Sequence, residues 1–91
     1  MVERTVVVRN YAGVHARPAS MLAELASKFQ SRVWLVKDEQ QVECDSVLSV
    51  MQLAAVCDST LIIRADGVDE EEAAHAFEQL ISDGFGELEK V

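Results

Sequence analysis

The sequence predicts an α+β domain, a two-layer sandwich in which three helices cover one face of a four-stranded, mainly antiparallel sheet. Two observations lead to this prediction. Four short segments have the composition or the flanking turns of strands, and three others have the apolar patterns of helices, in the order βαββαβα. The chain has 91 residues, 49% of them hydrophobic, which suffices for one modest core, so we expect residues 1–91 to form a single domain.

The first strand and the first helix flank a short loop. Residues 2–9 are rich in valine, with Val6 and Val8 on one face, and predict the first strand. Residues 10–14 contain a turn former and a glycine and predict a loop. A helix of about four turns follows, as indicated by the spacing of apolar positions 19, 22, 23, 26 and 29. The loop therefore brings His15 to the beginning of a helix.

The middle of the chain predicts a hairpin and a short helix. Residues 32–37 and about 40–44 predict the two strands of a β-hairpin around a polar tip at 38–40, and their apolar residues are Val33, Trp34, Leu35, Val36 and Val42. The apolar residues that follow are too dense for strand alternation and favour a short helix. Asp45 or Ser46 can cap its N-terminus.

The last strand and the last helix complete the pattern. Residues 60–65 predict a strand, and Asp66-Gly67 the turn that leaves it. Asp69 and Glu72 have the spacing of a capping box. A helix then ends near Gly84, where a left-handed residue fits, and its apolar stripe consists of Ala73, Ala76, Phe77, Leu80 and Ile81.

Charge and composition narrow the classes of partner. The chain carries 16 acidic and 8 basic residues and a formal net charge of -8, whereas nucleic acids and anionic membranes attract clustered Lys and Arg. No segment approaches the roughly 18 to 20 apolar residues that span a bilayer, and the N-terminus does not resemble a signal peptide. We therefore expect a cytoplasmic protein whose partners are proteins or small molecules, with no nucleic acid and no membrane insertion.

The cysteines and histidines do not have the spacing of a metal site. Cys44 and Cys57 form no Cys-x-x-Cys pair, and the two histidines lie far apart in the sequence. We expect free thiols, no metal and no cofactor.

The stretch from Asn10 to Ala19 is the most informative about chemistry. Gly13 permits a close backbone approach, and Pro18 suits the first turn of a helix, which leaves His15 at the helix N-terminus. The free amides and the positive end of the helix dipole there disfavour the imidazolium and attract an anion. A neutral imidazole is a nucleophile, and the Arg17 guanidinium can spread the charge of a transferring phosphoryl group.

The segment Gly13-Val14-His15-Ala16-Arg17-Pro18-Ala19 resembles the active-site signature of the histidine-containing phosphocarriers (HPr) of the bacterial phosphoenolpyruvate-dependent phosphotransferase system. The resemblance covers nearly the whole chain and includes residues 28–31, 34–35 and 46–55. It implies the HPr-like open-faced sandwich. It also implies that His15 accepts phosphate at Nδ1 from enzyme I and donates it to an enzyme IIA protein.

In this interpretation the protein is one component of a relay rather than a stand-alone enzyme. Arg17 assists the transfer, and the helix start at Ala16, Arg17 and Pro18 binds the phosphoryl oxygens. The partner enzyme would supply the activating groups, which suits a chain with few candidate catalytic side chains.

The resemblance also implies a docking surface on the first and second helices. We expect Val50 and Leu53 to close the core, and an exposed apolar rim to receive the partners. The docking residues that we predict are Ser20, Val47, Leu48 and Met51.

Ser46 lies where Gram-positive relatives are phosphorylated by a regulatory kinase, so an HPr kinase is a further candidate partner. The preceding Asp45 departs from the basic residue common there and would repel an added phosphate. Ser46 is already explained as a helix cap.

Two branches of the phosphotransferase system and two other functions stay open. Positions where sugar-branch relatives often carry lysines hold Glu24, Ser27 and Ser49. Features closer to the nitrogen-branch carriers (NPr) are Glu43, residues 45–47 and residues 82–85. The alternatives are a regulatory interaction module of the same fold that transfers no phosphate, and a small-ligand or anion-binding domain. We expect a monomer, because transiently docking carriers have small interfaces.

Overall fold

A computed structural model describes residues 1–87 of the chain. The order βαββαβα that the sequence predicts is confirmed. The elements are β1 (Val2–Val7), α1 (Ala16–Ala26), β2 (Arg32–Lys37), β3 (Gln40–Glu43), α2 (Val47–Gln52), β4 (Thr60–Asp66) and α3 (Glu70–Ser82), followed by a 3-10 turn at Gly84–Gly86. None of the helices in this part of the chain is long and apolar enough to cross a bilayer.

The sheet has the strand order β1-β4-β2-β3, and each neighbouring pair is antiparallel. Strand β4 therefore lies in the middle of the sheet, although it is the last strand in the sequence. Val33 and Leu35 of β2 pair with Ala65 and Ile63 of β4. Since successive side chains along a strand point to opposite faces, this register places four buried apolar side chains on one face.

The core lies between that face and the helices. Leu22 of α1, Val50 of α2 and Phe77 of α3 are fully buried in one cluster with Leu35 and Ile63 of the sheet. One cluster shared by all three helices means that they cover the same face of the sheet. The predicted two-layer sandwich is confirmed.

The other face of the sheet carries exposed charge pairs. The Arg32 guanidinium is 2.8 Å from Glu43 and lies 5.0 Å from the centre of the Trp34 ring. Arg64 of β4 forms an ion pair with Glu3 of the neighbouring strand β1. Exposed pairs of this kind contribute about 0–1 kcal/mol each, so the buried face dominates the stability.

Two elements end earlier than their apolar patterns predict. Strand β1 ends at Val7 rather than at residue 9, although Val8 is fully buried and exchanges hydrogen bonds with the loop before β4. Helix α1 has 11 residues and ends at Ala26, about one turn short of the prediction. The Ser27 hydroxyl donates to the Glu24 carbonyl at 2.6 Å, a local bond that competes with a further helical turn. Phe29 packs against the core from the following loop, which explains why its position fits the helical spacing.

The helix caps agree with the sequence at α2 and differ at α3. Ser46 caps α2 by accepting a hydrogen bond from the Ser49 amide at 3.2 Å. The predicted capping box at Asp69 is wrong, because the Asp69 carboxylate accepts hydrogen bonds from the Gln30 and Ser31 amides, both at 2.9 Å, and caps no amide of its own helix. It therefore joins the start of α3 to the turn before β2.

Candidate functional site

His15 lies immediately before α1, where the loop from β1 meets the helix. Its carbonyl accepts the first helical hydrogen bond, from the Ala19 amide at 2.9 Å, and its side chain is 42% exposed. The preceding Val14 amide donates to the Ala55 carbonyl at 2.9 Å, which ties the loop to the segment after α2. Gly13 has a φ of 73°, and a Cβ there would lie 2.6 Å from the Ala55 oxygen. The loop thus requires glycine at this position to hold His15 at the helix start.

The first turn of α1 has the character that the sequence predicts. Ala16 and Arg17 are its first two residues, and their amides have no carbonyl four residues back within the helix. Pro18 is buried at the third position, where the missing N–H costs no helical bond. Two free amides and the positive end of the helix dipole therefore lie beside the imidazole.

The carboxylate of Glu87 closes the site, and the sequence did not single out this residue. Glu87 Oε2 lies 3.0 Å from His15 Nε2 and 2.6 Å from an Nη atom of Arg17. Asn10 Nδ2 donates to Glu87 Oε1 at 2.9 Å and to the Gly13 carbonyl at 2.7 Å. The Glu87 side chain is only 17% exposed. One carboxylate thus joins the imidazole, the guanidinium and the loop before α1.

The backbone after α3 explains why Glu87 reaches His15. Gly84, Phe85 and Gly86 all have positive φ angles, of 71°, 57° and 74°. This conformation turns the chain back, and the fully buried Phe85 side chain anchors it to the core. The expectation of a left-handed residue at Gly84 is confirmed.

Arg17 is held by several acceptors at once. Besides its bonds to Glu87, its guanidinium donates to the Phe85 carbonyl at 3.1 Å and contacts the Met21 sulfur at 3.3 Å. Its side chain is nevertheless 53% exposed. The guanidinium is therefore oriented toward the imidazole but still accessible to an incoming anion.

The carboxyl of Glu87 is ionised at neutral pH. Partial burial acts to raise its pKa, but the hydrogen bonds from Asn10, Arg17 and His15 together outweigh burial, so the pKa lies below the usual range. The site thus contains one fixed negative charge.

These residues border a surface pocket of about 420 Å³. Its lining consists of Tyr11, Ala12, His15, Arg17, Gly86 and Glu87. The Tyr11 ring is almost fully exposed at the pocket edge. The sequence did not predict that residues 86–87 meet the loop and helix start at residues 11–17 in this pocket.

The predicted docking residues lie on α1 and α2, which pack against each other. Leu48 is 73% exposed and Met51 39%, whereas Val47 is partly buried against the core. Ser20 is exposed on α1. The expectation that Val50 and Leu53 close the core is confirmed.

The hydrogen bonds of the His15 side chain within residues 1–87 do not involve either cysteine. Cys44 is fully buried, and burial raises the pKa of its thiol, so it is unreactive. Cys57 is a free, partly exposed cysteine. Among residues 1–87, no three side chains of the His, Cys, Asp and Glu types come together as metal ligands.

The comparisons with known proteins agree with one another. The family model described as "PTS HPr component phosphorylation site" matches residues 2–83. The phosphocarrier protein HPr of Treponema pallidum is 45% identical over 87 residues, which are 96% of this chain and 99% of that protein.

Solved structures extend the agreement to the backbone. The crystal structure of HPr-C-His from Thermoanaerobacter tengcongensis superposes with a TM-score of 0.92 at 39% identity and covers 98% of this chain and 100% of the other. An HPr dimer from the same organism superposes with a TM-score of 0.75 at 40% identity and covers 96% of this chain and 100% of the other. With a family model over most of its length and relatives of this identity, the chain belongs to the HPr family of phosphocarriers of the phosphotransferase system.

Proposed function

We propose that this chain accepts a phosphoryl group from enzyme I on Nδ1 of His15 and donates it to an enzyme IIA protein. The observation that carries the proposal is the half-exposed imidazole at the start of α1, joined to Arg17 through one carboxylate. A histidine with a purely structural role would be expected to be buried, whereas His15 is exposed and the Arg17 and Glu87 side chains beside it are fixed by hydrogen bonds.

The transfer is a displacement at phosphorus. The lone pair of His15 Nδ1 attacks the phosphorus atom, a P–N bond forms, and the bond from phosphorus to the donor breaks with its electron pair leaving on the donor. The free amides of Ala16 and Arg17 and the Arg17 guanidinium supply donors and positive charge for the three phosphoryl oxygens. In the second transfer, a nucleophile of the acceptor attacks the phosphorus atom, and the P–N bond breaks with its electron pair returning to Nδ1 of His15.

The apolar rim at Leu48 and Met51 supports docking of both partners. It lies on α2, next to α1, and an apolar centre with a charged surrounding is typical of protein interfaces. Enzyme I and enzyme IIA would use the same face in turn, in the cytoplasm. A monomer suits this alternation, and equilibrium sedimentation at micromolar concentration tests it against a dimer like that crystallised for the Thermoanaerobacter protein.

The acceptor branch depends on the charge of this face. Glu24 and Ser27 of the α1 region replace the lysines common in sugar-branch relatives, so the face is less basic. Transfer rates from the phosphorylated chain to a sugar-type and to a nitrogen-type enzyme IIA separate the two branches.

The decisive experiment is the intact mass of the purified protein after incubation with phosphoenolpyruvate and an active enzyme I from the same organism. We expect one acid-labile phosphoryl group on the wild type and none on His15→Ala. No gain on the wild type would contradict the proposal. It would favour a regulatory module that binds partners through Leu48 and Met51 without transferring phosphate.

A further inference from the structure

Glu87 holds His15 by the ring nitrogen that the proposed transfer does not use. Its Oε2 atom lies 3.0 Å and its Oε1 atom 3.3 Å from Nε2, and neither contact involves Nδ1. An ionised carboxylate can only accept hydrogen bonds, so Nε2 must carry the proton in this contact. In the neutral ring, a proton on Nε2 leaves the lone pair on Nδ1.

The same contact bears on the charge of the ring during transfer. When Nδ1 of a ring protonated on Nε2 forms a bond to phosphorus, the ring gains a positive charge. The Glu87 carboxylate lies at the other nitrogen, where it stabilises that charge. Its orientation is fixed independently, by Asn10 and by two nitrogen atoms of Arg17.

We propose that Glu87 is a positioning residue for phosphoryl transfer, which selects the Nε2-protonated tautomer of His15 and stabilises the positive charge that the ring gains as the P–N bond forms. This inference rests on the proposed function. Arg17 is bound to Glu87 in the unphosphorylated protein and turns to the phosphoryl oxygens when these arrive, since both anions attract the same guanidinium.

Two substitutions separate the two roles. Glu87→Ala removes both acceptor oxygens and the charge, whereas Glu87→Gln removes the charge and keeps one acceptor oxygen. Glu39→Ala is the matched control, because it deletes one negative charge from an exposed position in the turn between β2 and β3. Any effect of net charge on docking to enzyme I appears in the control as well.

The first measurement is the tautomer of His15, from the ¹⁵N chemical shifts of its two ring nitrogens. It uses the protein without any partner, at a pH at which the imidazole ring is neutral. We expect the wild type and the Glu39→Ala variant to have a single tautomer protonated on Nε2. Glu87→Ala should populate both tautomers, and Glu87→Gln should lie nearer to the wild type.

The second measurement is the rate of phosphorylation by enzyme I in rapid-quench experiments at saturating and subsaturating carrier. Both variants lose the carboxylate charge that stabilises the ring during transfer, so we expect Glu87→Ala and Glu87→Gln to lose about tenfold or more in kcat, with little change in KM. Urea unfolding of each variant shows that the fold is retained.

The outcomes are distinct. Equal tautomers and rates in Glu87→Ala and Glu39→Ala, with a wild type that is phosphorylated normally, would overturn the inference and leave the proposed function standing. A wild type that accepts no phosphate would overturn the proposed function and this inference with it. A rate loss in Glu87→Ala that is absent from Glu39→Ala, together with mixed tautomers, supports it.

Discussion

The substitution Gly13→Ala tests how the loop before α1 positions His15. Gly13 has a φ of 73°, and an L-residue in this left-handed region costs about 1–2 kcal/mol relative to glycine. The new Cβ would also lie 2.6 Å from the Ala55 carbonyl oxygen and 3.0 Å from Val56 Cα, which are backbone atoms that no rotamer change can move. Ordinary contact begins near 3.4 Å, so the carbonyl would have to retreat by about 0.8 Å.

That retreat would disrupt the hydrogen bond from the Val14 amide to Ala55, now 2.9 Å long, which is worth about 0.5–1.5 kcal/mol. We therefore expect Gly13→Ala to lower the free energy of unfolding by about 1.5–3.5 kcal/mol, and Tm by about 6–28 °C for a domain of this size. The phosphorylation rate by enzyme I should fall as well, because the same bond holds the residue before His15.

Gly86→Ala is the matched control for this prediction. Gly86 has almost the same φ, 74°, but a Cβ there would meet no atom within 4 Å. Its cost should be the conformational one alone, about 1–2 kcal/mol. Urea unfolding of both variants isolates the contact with Ala55, and equal losses in the two variants would refute the steric argument.

Three further substitutions test other parts of the structure. The pKa of Asp69 is lowered mainly by the hydrogen bond from the Ser31 hydroxyl and also by that from the Gln30 amide. The ionised Asp69 therefore stabilises the fold fully above its unfolded pKa of about 3.9, and this stabilisation is lost as the pH falls through the folded pKa. Asp69→Asn should thus lower the free energy of unfolding at neutral pH and weaken its decrease at acidic pH, as measured by urea unfolding at a series of pH values. An unchanged decrease at acidic pH would show that groups other than Asp69 cause it. Leu48→Ala should leave Tm within a few degrees and weaken binding to enzyme I in calorimetric titration, since the side chain is 73% exposed; unaltered affinity would remove Leu48 from the docking face. Ser46→Ala should cost about 1 kcal/mol in urea unfolding, because the cap of α2 is lost, and no loss would show that the 3.2 Å bond contributes nothing.

The predictable part of the fold is the part that its apolar periodicity encodes. Phe77 and Ile81 lie on a stripe that only a helix can bury, and both are fully buried in the structure. Leu61 and Ile63 alternate with exposed or half-buried neighbours, as expected for a sheet covered on one face. The C-terminal end of α1 and the cap of α3 were less predictable, because Ser27 and Asp69 form hydrogen bonds that the apolar pattern does not contain.

The candidate site also has a part that the sequence predicts and a part that it does not. His15, Arg17 and Pro18 lie within four residues of one another, so their arrangement around a helix start can be read from local sequence. Glu87 is one of 16 acidic residues and lies 72 positions from His15, and its sequence neighbours have no recognisable motif. The only local indication was the pair of glycines around Phe85, which marks a turn but not its direction.

The position of β4 in the sheet has a consequence for the biosynthesis of the protein. Because β4 is the last strand within residues 1–87 and separates β1 from β2, residues 60–66 must leave the ribosome before the sheet can assemble beyond the β2–β3 hairpin. The side-chain contact of His15 comes later still, since it needs Glu87, which follows α3. A nascent chain that has not yet released Glu87, or a chain truncated before it, therefore cannot form the contacts that join His15, Arg17 and the loop before α1.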